Sequence, residues 1–468
     1  MKQVIFLLGI LTGIVLFAPS CSDDGDNATI SWDQKSLFVD YGEEAIVGFS
    51  GHNITSYSIA SVPTGWETPT IDKQTCTVKI VAPAEGSDAA KTGSISLRGI
   101  TTNDEYIHSS LYVSLGAEKV DFTHAPANCY IANAGNAHYK FNAGVKGNGE
   151  SIATASVDVI WETAMNLIKY IEFKDGICSF YLSTESEDSN LPKEGNALLG
   201  GYDENGELLW SWHIWATDMD TAAEAVELNG YTLMGRQLGS LHNDNSSQAN
   251  ILAAYGMYYQ WGRKDPFAGP TTYDADRGHT ATLYDDESNS VTLFAVASDS
   301  ETGNYTYTNA HPTHFITTTG KDESWSQTSE PGWNAQSKTV NDPCPYGWRV
   351  APAGVFAGLQ IADDLTVENA DQHYAEAYGW NLTNGTNSSF FFAAGRRVYN
   401  SSLIQNLYDE SLVRNIATEA QPWVGYNWTA EGKVFAYWFN KQAPLESSLR
   451  NDLTMGQANG MSVRCVRE

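Results

Sequence analysis

The segment NDPCPYGWRVAP (residues 341–352) clamps Cys344 between Pro343 and Pro345, and its reading decides the C-terminal half of the chain. Proline fixes φ at about −65° and drives the residue before it toward extended backbone, so Cys344 is held on a rigid, extended stretch. Pro352 then opens a short helix. A second segment, GMSVRCVRE (residues 460–468), places another cysteine, Cys465, beside the C-terminus.

With 468 residues the chain exceeds one ordinary core, and roughly two to four domains are expected. Acidic side chains outnumber basic ones by 56 to 27, leaving a net charge of −29. Such a surface repels nucleic acid and anionic lipid and disfavours phosphate ligands. Hydrophobic content of 42%, with 14 Trp, 24 Tyr and 17 Phe, excludes disorder. Only 18% of residues are charged while Ser, Thr, Asn and Gly abound, the composition of a secreted β protein.

Lys2 precedes an uninterrupted apolar run, VIFLLGILTGIVLFA (residues 4–18), which is short for a membrane span and suits a signal peptide. It ends in APSC, whose Cys21 resembles the acylated cysteine of a lipoprotein signal; ordinary cleavage beside a chance cysteine is the alternative. The expectation is a signal peptide over residues 1–20 and an acidic tether over 21–28. SDDGD (residues 22–26) resembles the signal that exports Bacteroidetes lipoproteins to the outer face of the outer membrane. That resemblance implies a lipid-anchored, surface-exposed protein.

Residues 29–116 read as short alternating strands. TCTVKIV puts Cys76, Val78 and Ile80 on one face, and SSLYVSL does the same with Leu111, Val113 and Leu115. This pattern resembles an immunoglobulin-like β-sandwich with Cys76 as a buried thiol. A second β-sandwich module is expected over 117–228, where Asp175-Gly176 and Asn205-Gly206 mark hairpins. In the strand after Asn205-Gly206, Trp210, Trp212 and Ile214 share one face and Ser211, His213 and Trp215 the other. These Trp could stack on sugars, but packing is the favoured reading, for His213 as well. The polar stretch 216–230 reads as a domain boundary. Beyond it, Ser246 or Ser247 caps a helix through Ile251, Leu252, Tyr255, Tyr258 and Tyr259, ended by Gly262. Residues 268–342 form a long polar loop region with one strand-like run, SVTLFAVA, and a loop that long is functional or an elaborated insertion.

Three segments occur in order: GMYYQWGRKDPF (residues 256–267), DPCPYGWRVAP and GMSVRCVRE. Together with MGRQLGS (residues 234–240) they resemble the Fibrobacter-type major paralogous domain of Bacteroidetes surface lipoproteins, over residues 231–468. Gly235 and Gln237 depart from its usual polar pair. The resemblance implies a C-type-lectin-like α+β domain, related also to formylglycine-generating folds. Residues 127–149 and the Trp-rich hairpin look like the domain that precedes it in fimbrial and adhesion proteins. The fold class implied is mainly β, with immunoglobulin-like sandwich modules before a lectin-like C-terminal domain. In a fold whose first and last strands pair, a Cys344–Cys465 disulfide is implied, and two buried thiols are the alternative. With Cys21 acylated, five cysteines remain, so at least one is unpaired, with Cys76 the candidate. Whether Cys129 and Cys178 pair stays open.

No Gly-Lys-Ser/Thr phosphate loop or Gly-x-Ser-x-Gly elbow is present. His311 and His314 are three apart but flank Pro312, and Asp274 and Asp276 lack the remaining ligands of a calcium loop. Both pairs read as solvated loop residues. The expectation is therefore no catalytic residue, no metal and no cofactor. Sugar-binding C-type lectins need an Asp or Asn where QPWVGYNW (residues 421–428) has Trp423, which disfavours calcium coordination. Stacking is expected instead, with at least one of Trp423, Tyr426 and Trp428 exposed, in loops between Pro352 and Met461. The function implied is a non-catalytic adhesin or fimbrial-tip-like protein whose partner is a glycan or a host or bacterial surface protein. The alternatives are a structural subunit among other fimbrial subunits, or a glycan-capture lipoprotein of a polysaccharide-uptake system.

Overall fold

Alternating apolar residues place the protein in the mainly β class. The computed structural model describes residues 27–468 apart from 187–188, 190, 271–279, 331, 363–377, 406–423 and 439–448. The expected signal peptide, Cys21, Asp274, Asp276 and Trp423 lie outside the described residues. Among the described residues no helix is long and apolar enough to cross a membrane. Two compact units result, Met1–Leu115 and Gly116–Glu468.

In the first unit, Thr29–Trp32, Glu44–His52, Thr77–Val81 and Thr70–Asp72 form one sheet. Ser36–Val39, Tyr106–Leu115, Thr92–Thr101 and Ile54–Ser61 form a second. Trp32, Val47, Val78 and Ile80 from the first meet Ile95, Leu97, Leu111 and Val113 from the second in one core. The two sheets thus make a β-sandwich, because period-2 alternation gives each an apolar inner face. Cys76 is unpaired and precedes its strand, at φ +51, packed against the core only in part.

The second unit begins with another sandwich. Both Gly-marked hairpins form: Ile168–Lys174 with Ile177–Leu182, and Gly195–Tyr202 with Leu208–Ala216. The latter two are neighbouring inner strands of a six-stranded sheet that also contains Cys129–Ala132 and Ser156–Glu162. One face of this sheet contributes Trp210, Trp212 and Ile214 to a core shared with Tyr139, Phe141 and Phe180 of the facing sheet. The other face contributes Cys129, Trp161, Leu198 and Trp215 to a core shared with Met234, Tyr259, Trp428, Val463 and Cys465. The Trp residues therefore pack. Cys129 and Cys178 are free and buried in these two different cores.

That double burial bears on the boundary read at 216–230, which lies inside one compact unit. Leu283–Tyr284, from the expected C-terminal domain, pairs with Ser156–Glu162 and extends the six-stranded sheet. Asn128 donates from Nδ2 to the carbonyls of Val340 and Asp342 at 2.7 and 2.9 Å. A polar composition marked a linker, but the segments on either side bury a common apolar surface.

The helix spans Gln248–Ala254 and is capped by Ser247, whose Oγ accepts from the Asn250 amide at 3.1 Å. It stops at Gly256, not Gly262. Gly256 adopts φ +69, and a Cβ there would come within 2.8 Å of the Leu238 carbonyl oxygen. Tyr258 and Tyr259 then run extended, with Tyr258 exchanging both backbone hydrogen bonds with Phe267. Periodicity could not separate a helical from an extended apolar run here.

At residues 341–352 the buried Asp342 carboxylate accepts the amides of Cys344 and Val350 at 2.9 and 3.0 Å. Lys338 reaches the carbonyls of Cys344 and Trp348, both at 2.6 Å. Trp348–Val350 then pairs with Cys465–Arg467, which in turn pairs with Tyr231–Leu233. Cys344 and Cys465 form a disulfide with Cα atoms 6.0 Å apart, closing a sequence separation of 121 residues.

Loop closure on that scale restricts the unfolded chain, so the double variant Cys344→Ala/Cys465→Ala should lose about 2–5 kcal/mol, read by urea unfolding. A second expectation concerns acid. Asn196 donates from Nδ2 to the Gly239 carbonyl, turning its Oδ1 toward Nε2 of the buried His213 at 2.9 Å. Nε2 thus carries the proton, and Nδ1 faces the Tyr259 hydroxyl at 3.4 Å. Burial depresses this imidazole from 6.5 to about 3. The unfolded chain therefore binds the proton first, and stability falls as pH drops from about 6.5 toward 3. The slope from this one group reaches at most about 1.4 kcal/mol per pH unit. Urea unfolding between pH 7 and 4 should show a shallower loss in His213→Gln, whatever its stability at pH 7.

Candidate functional site

Phe294–Ala297 and His314–Thr317 form a two-stranded parallel sheet within the long polar region. The fully buried Gln260 positions it. Its side-chain amide donates to the Ile316 carbonyl at 2.7 Å and accepts the Ile316 amide at 3.0 Å, standing in for a neighbouring strand. It donates as well to the Ala458 carbonyl at 2.8 Å. Arg263 reinforces this, donating to Gln260 Oε1 at 2.9 Å and to the carbonyl of His314, in the same strand as Ile316, at 2.7 Å. The same guanidinium lies over the rings of Phe267 and Trp325. Trp325 is itself fully buried with Tyr305, Ile316 and Ala458. Gln260, Arg263 and Phe267 of GMYYQWGRKDPF are thus the foundation of this region.

Above that foundation lies a cleft of about 770 Å³ lined by Ala297, Ser298, Thr317, Thr318, Thr319, Glu323, Ser324, Ser326, Gln327 and Asn400. Hydroxyl and amide groups dominate the lining. Several are held in place: Ser298 Oγ donates to the Trp325 carbonyl at 2.7 Å and accepts from Gln327 Nε2 at 3.2 Å. Ser324 Oγ donates to Gln457 Oε1 at 2.8 Å. The Thr318 amide binds the Tyr399 carbonyl, which fixes the Asn400 side of the cleft. Glu323 is the single carboxylate among the described lining residues, and its Oε2 accepts the Gly320 amide at 2.9 Å. Prealigned hydroxyls and amides can exchange hydrogen bonds with a polyhydroxylated ligand.

The residues expected to carry ligand sit elsewhere. Tyr426 is 6% exposed and Trp428 is fully buried. Alternation does put them on one face of Val424–Trp428, but that face points into the core shared with the sandwich. Trp428 Nε1 donates to the Tyr259 carbonyl at 2.9 Å, and Arg396 lies over the Tyr426 ring. Neither offers a stacking surface, a correction that stems from the double-sided sheet beneath them. Trp423 lies outside the described residues. Among the described residues, the cleft draws only Asn400 from the interval 352–461. Its other lining residues escaped reading because Ser, Thr and Gln in loops have no distinctive spacing. The length of the polar region was the available signal.

His311 and His314 stack with ring centroids 4.9 Å apart, and His314 Nδ1 meets the Tyr307 hydroxyl at 2.9 Å. Burial lowers both imidazoles, and His314 is lowered further by His311 and Arg263. A different trio, Glu194, Asp218 and His242, brings ligand atoms within 4.8 Å of one another.

No family model matches the chain, and no curated protein matches it. A sialyltransferase from Photobacterium damsela aligns at 16% identity over 22% of this chain and 20% of its own length, with a TM-score of 0.14. A Bacteroides ovatus mixed-linkage glucan utilization locus protein, in complex with a mixed-linkage heptasaccharide, aligns at 12% identity over 38% and 42%, TM-score 0.12. Fibronectin(III)-like modules of Clostridium thermocellum CbhA align at 14% identity over 40% and 94%, TM-score 0.14. The chain thus spans about a fifth of the sialyltransferase's length. At these scores the likenesses carry no argument about function.

Core and cleft separate by mutation. Trp428→Ala should lower stability by about 3–5 kcal/mol, and Gln327→Ala by less than about 0.5 kcal/mol. Thermal unfolding of the two variants checks this.

Proposed function

We propose that the protein is a non-catalytic lipoprotein, held through Cys21 at the outer face of an outer membrane, whose C-terminal region captures a glycan. The glycan is displayed by a host cell or a neighbouring bacterium. The observation that carries this reading is the lining of the 770 Å³ cleft, which is rich in aligned hydroxyls and amides and holds one committed carboxylate. The C-terminal region is read as a lectin-like head of the Fibrobacter-type major paralogous kind. Pairing of Tyr231–Leu233 with the terminal strand Cys465–Arg467 supports that reading, as does the disulfide. So do the buried roles of Gln260 and Arg263 in the motif GMYYQWGRKDPF. The acidic surface, with a net charge of −29, disfavours nucleic acid as a partner.

A structural role among fimbrial subunits is the second reading. The observation favouring it is the edge strand Phe294–Ala297, paired among the described residues with His314–Thr317 alone and carrying Phe294 at 51% exposure. Such an edge can accept a donor strand from another chain.

A glycan array probed with the whole mature chain tests the first reading. The whole chain is needed because the segments before and after residue 230 share a core. Gln327→Ala and Asn400→Ala should each weaken binding about tenfold, the effect of one lost hydrogen bond, with unfolding unchanged. Undiminished binding by both variants would move the ligand elsewhere, and assembly of the purified chain into filaments would favour the second reading. In cells, Cys21→Ala should release the protein from the membrane fraction and abolish palmitate labelling; release without loss of label would sink the anchor.

A further inference from the structure

Glu194, Asp218 and His242 come from three separate segments, each next to residues held by hydrogen bonds. Glu194 precedes Gly195–Tyr202, and Asp218 lies just beyond Leu208–Ala216. These strands end side by side, with Gly195 opposite Ala216. His242 comes directly after residues whose carbonyls are clamped to the same strand end. Trp215 Nε1 donates to the Ser240 carbonyl at 2.9 Å, and Thr217 Oγ1 to the Leu241 carbonyl at 3.1 Å. The three side chains therefore meet at the rim of the seam between sandwich and C-terminal region, partly open to solvent.

The charge balance there is uneven. Arg236 is buried and donates to both oxygens of Glu224, at 2.8 and 2.7 Å. It also touches one oxygen of Asp218 at 2.8 Å. With Glu224 matching that guanidinium, Asp218 and Glu194 remain as two carboxylates facing one imidazole. Nε2 of His242 lies 3.3 Å from Glu194 Oε2. That separation is close to the edge of a tetrahedron of ligands around a first-row ion, about 3.4 Å for bonds of about 2.0–2.2 Å. One ligand atom of Asp218 lies within 4.8 Å of those two, so the three can face a common point.

We propose that Glu194, Asp218 and His242 bind one divalent transition-metal ion of the zinc class, with water completing its coordination. An imidazole among the donors favours such an ion over calcium or magnesium, which take oxygen ligands. The ion is a clip rather than a reaction centre. It joins two strand ends of the sandwich to the segment after residue 231, and Arg236 orients Asp218 from behind. The proposal is independent of the glycan reading. Three ligands at intervals of many residues leave no short motif, so the sequence did not reveal them.

The test uses the purified mature chain, stripped with chelator and titrated with Zn²⁺ by calorimetry. One equivalent should bind and raise the unfolding temperature. X-ray absorption should show one imidazole among oxygen donors. His242→Ala and Glu194→Gln should each weaken binding at least tenfold, while the double variant His311→Ala/His314→Ala binds as the parent does. The proposal is overturned if zinc does not bind saturably, or if binding depends on His311 and His314. It is overturned equally if the absorption spectrum of the parent lacks an imidazole, a readout that does not depend on any variant folding.

Discussion

Burial of one strand on both faces is the constraint on which the larger unit depends. Along Leu208–Ala216, Trp210, Trp212 and Ile214 fill the sandwich core, while Trp215 fills the core beneath the C-terminal region. Two fully buried Trp side chains on opposite faces of one strand bind the two halves together more firmly than a linker could. Full burial of a large apolar side chain contributes roughly 1.5–3 kcal/mol, and here both halves draw on it. The seam also carries polar groups whose partners span it. Ser211 donates to Asp265 at 2.6 Å, Lys264 pairs with the same carboxylate, and the Lys264 ammonium lies 4.5 Å from the centre of the Trp210 ring. Removing one member of such a buried pair costs about 3–5 kcal/mol, because the remaining charge cannot return to water.

Buried arginines do the same work at longer range. Arg263, Arg397 and Arg464 are almost wholly excluded from solvent, and burial lowers each to about 10, still far above neutrality. Each remains charged and spends its donors largely on backbone carbonyls. Arg397 reaches Ala268 and Ser402, and Arg464 reaches Phe390 and Gly235. A guanidinium has five donors in a fixed plane, so it can join two or three loops that share no regular ladder. Gly235 fits this scheme too. A Cβ there would come within 2.5 Å of the Glu224 carbonyl oxygen, so the close approach of the two backbones requires glycine.

Short-range signals are legible where one physical period dominates. The Asp-Gly and Asn-Gly turns, the Ser247 cap and the division of Trp residues between two faces all stem from local backbone chemistry. Legibility fails where two periods compete. Tyr255, Tyr258 and Tyr259 suit a helix, yet the left-handed backbone at Gly256 and the exchange between Tyr258 and Phe267 turn the last two into extended chain. Alternation places Tyr426 and Trp428 on a common face. Which side of the sheet is wet depends on what lies beneath it.

The sequence by itself determined the β character, the turn positions, the alternating strands of the first sandwich and the rigid setting of Cys344, because each shows in a period or a turn a few residues long. Pairing of Cys344 with Cys465 entered through resemblance to a family, not through spacing, and the 6.0 Å approach of their Cα atoms is a tertiary fact. Only the tertiary structure decided that residues 117–228 share a core with the C-terminal region. It alone placed the cleft among unremarkable Ser, Thr and Gln side chains, and it alone brought Glu194, Asp218 and His242 together. The reason is physical: burial and convergence are properties of surfaces that meet in space, and residues far apart in the chain carry no local mark of the partner they will meet.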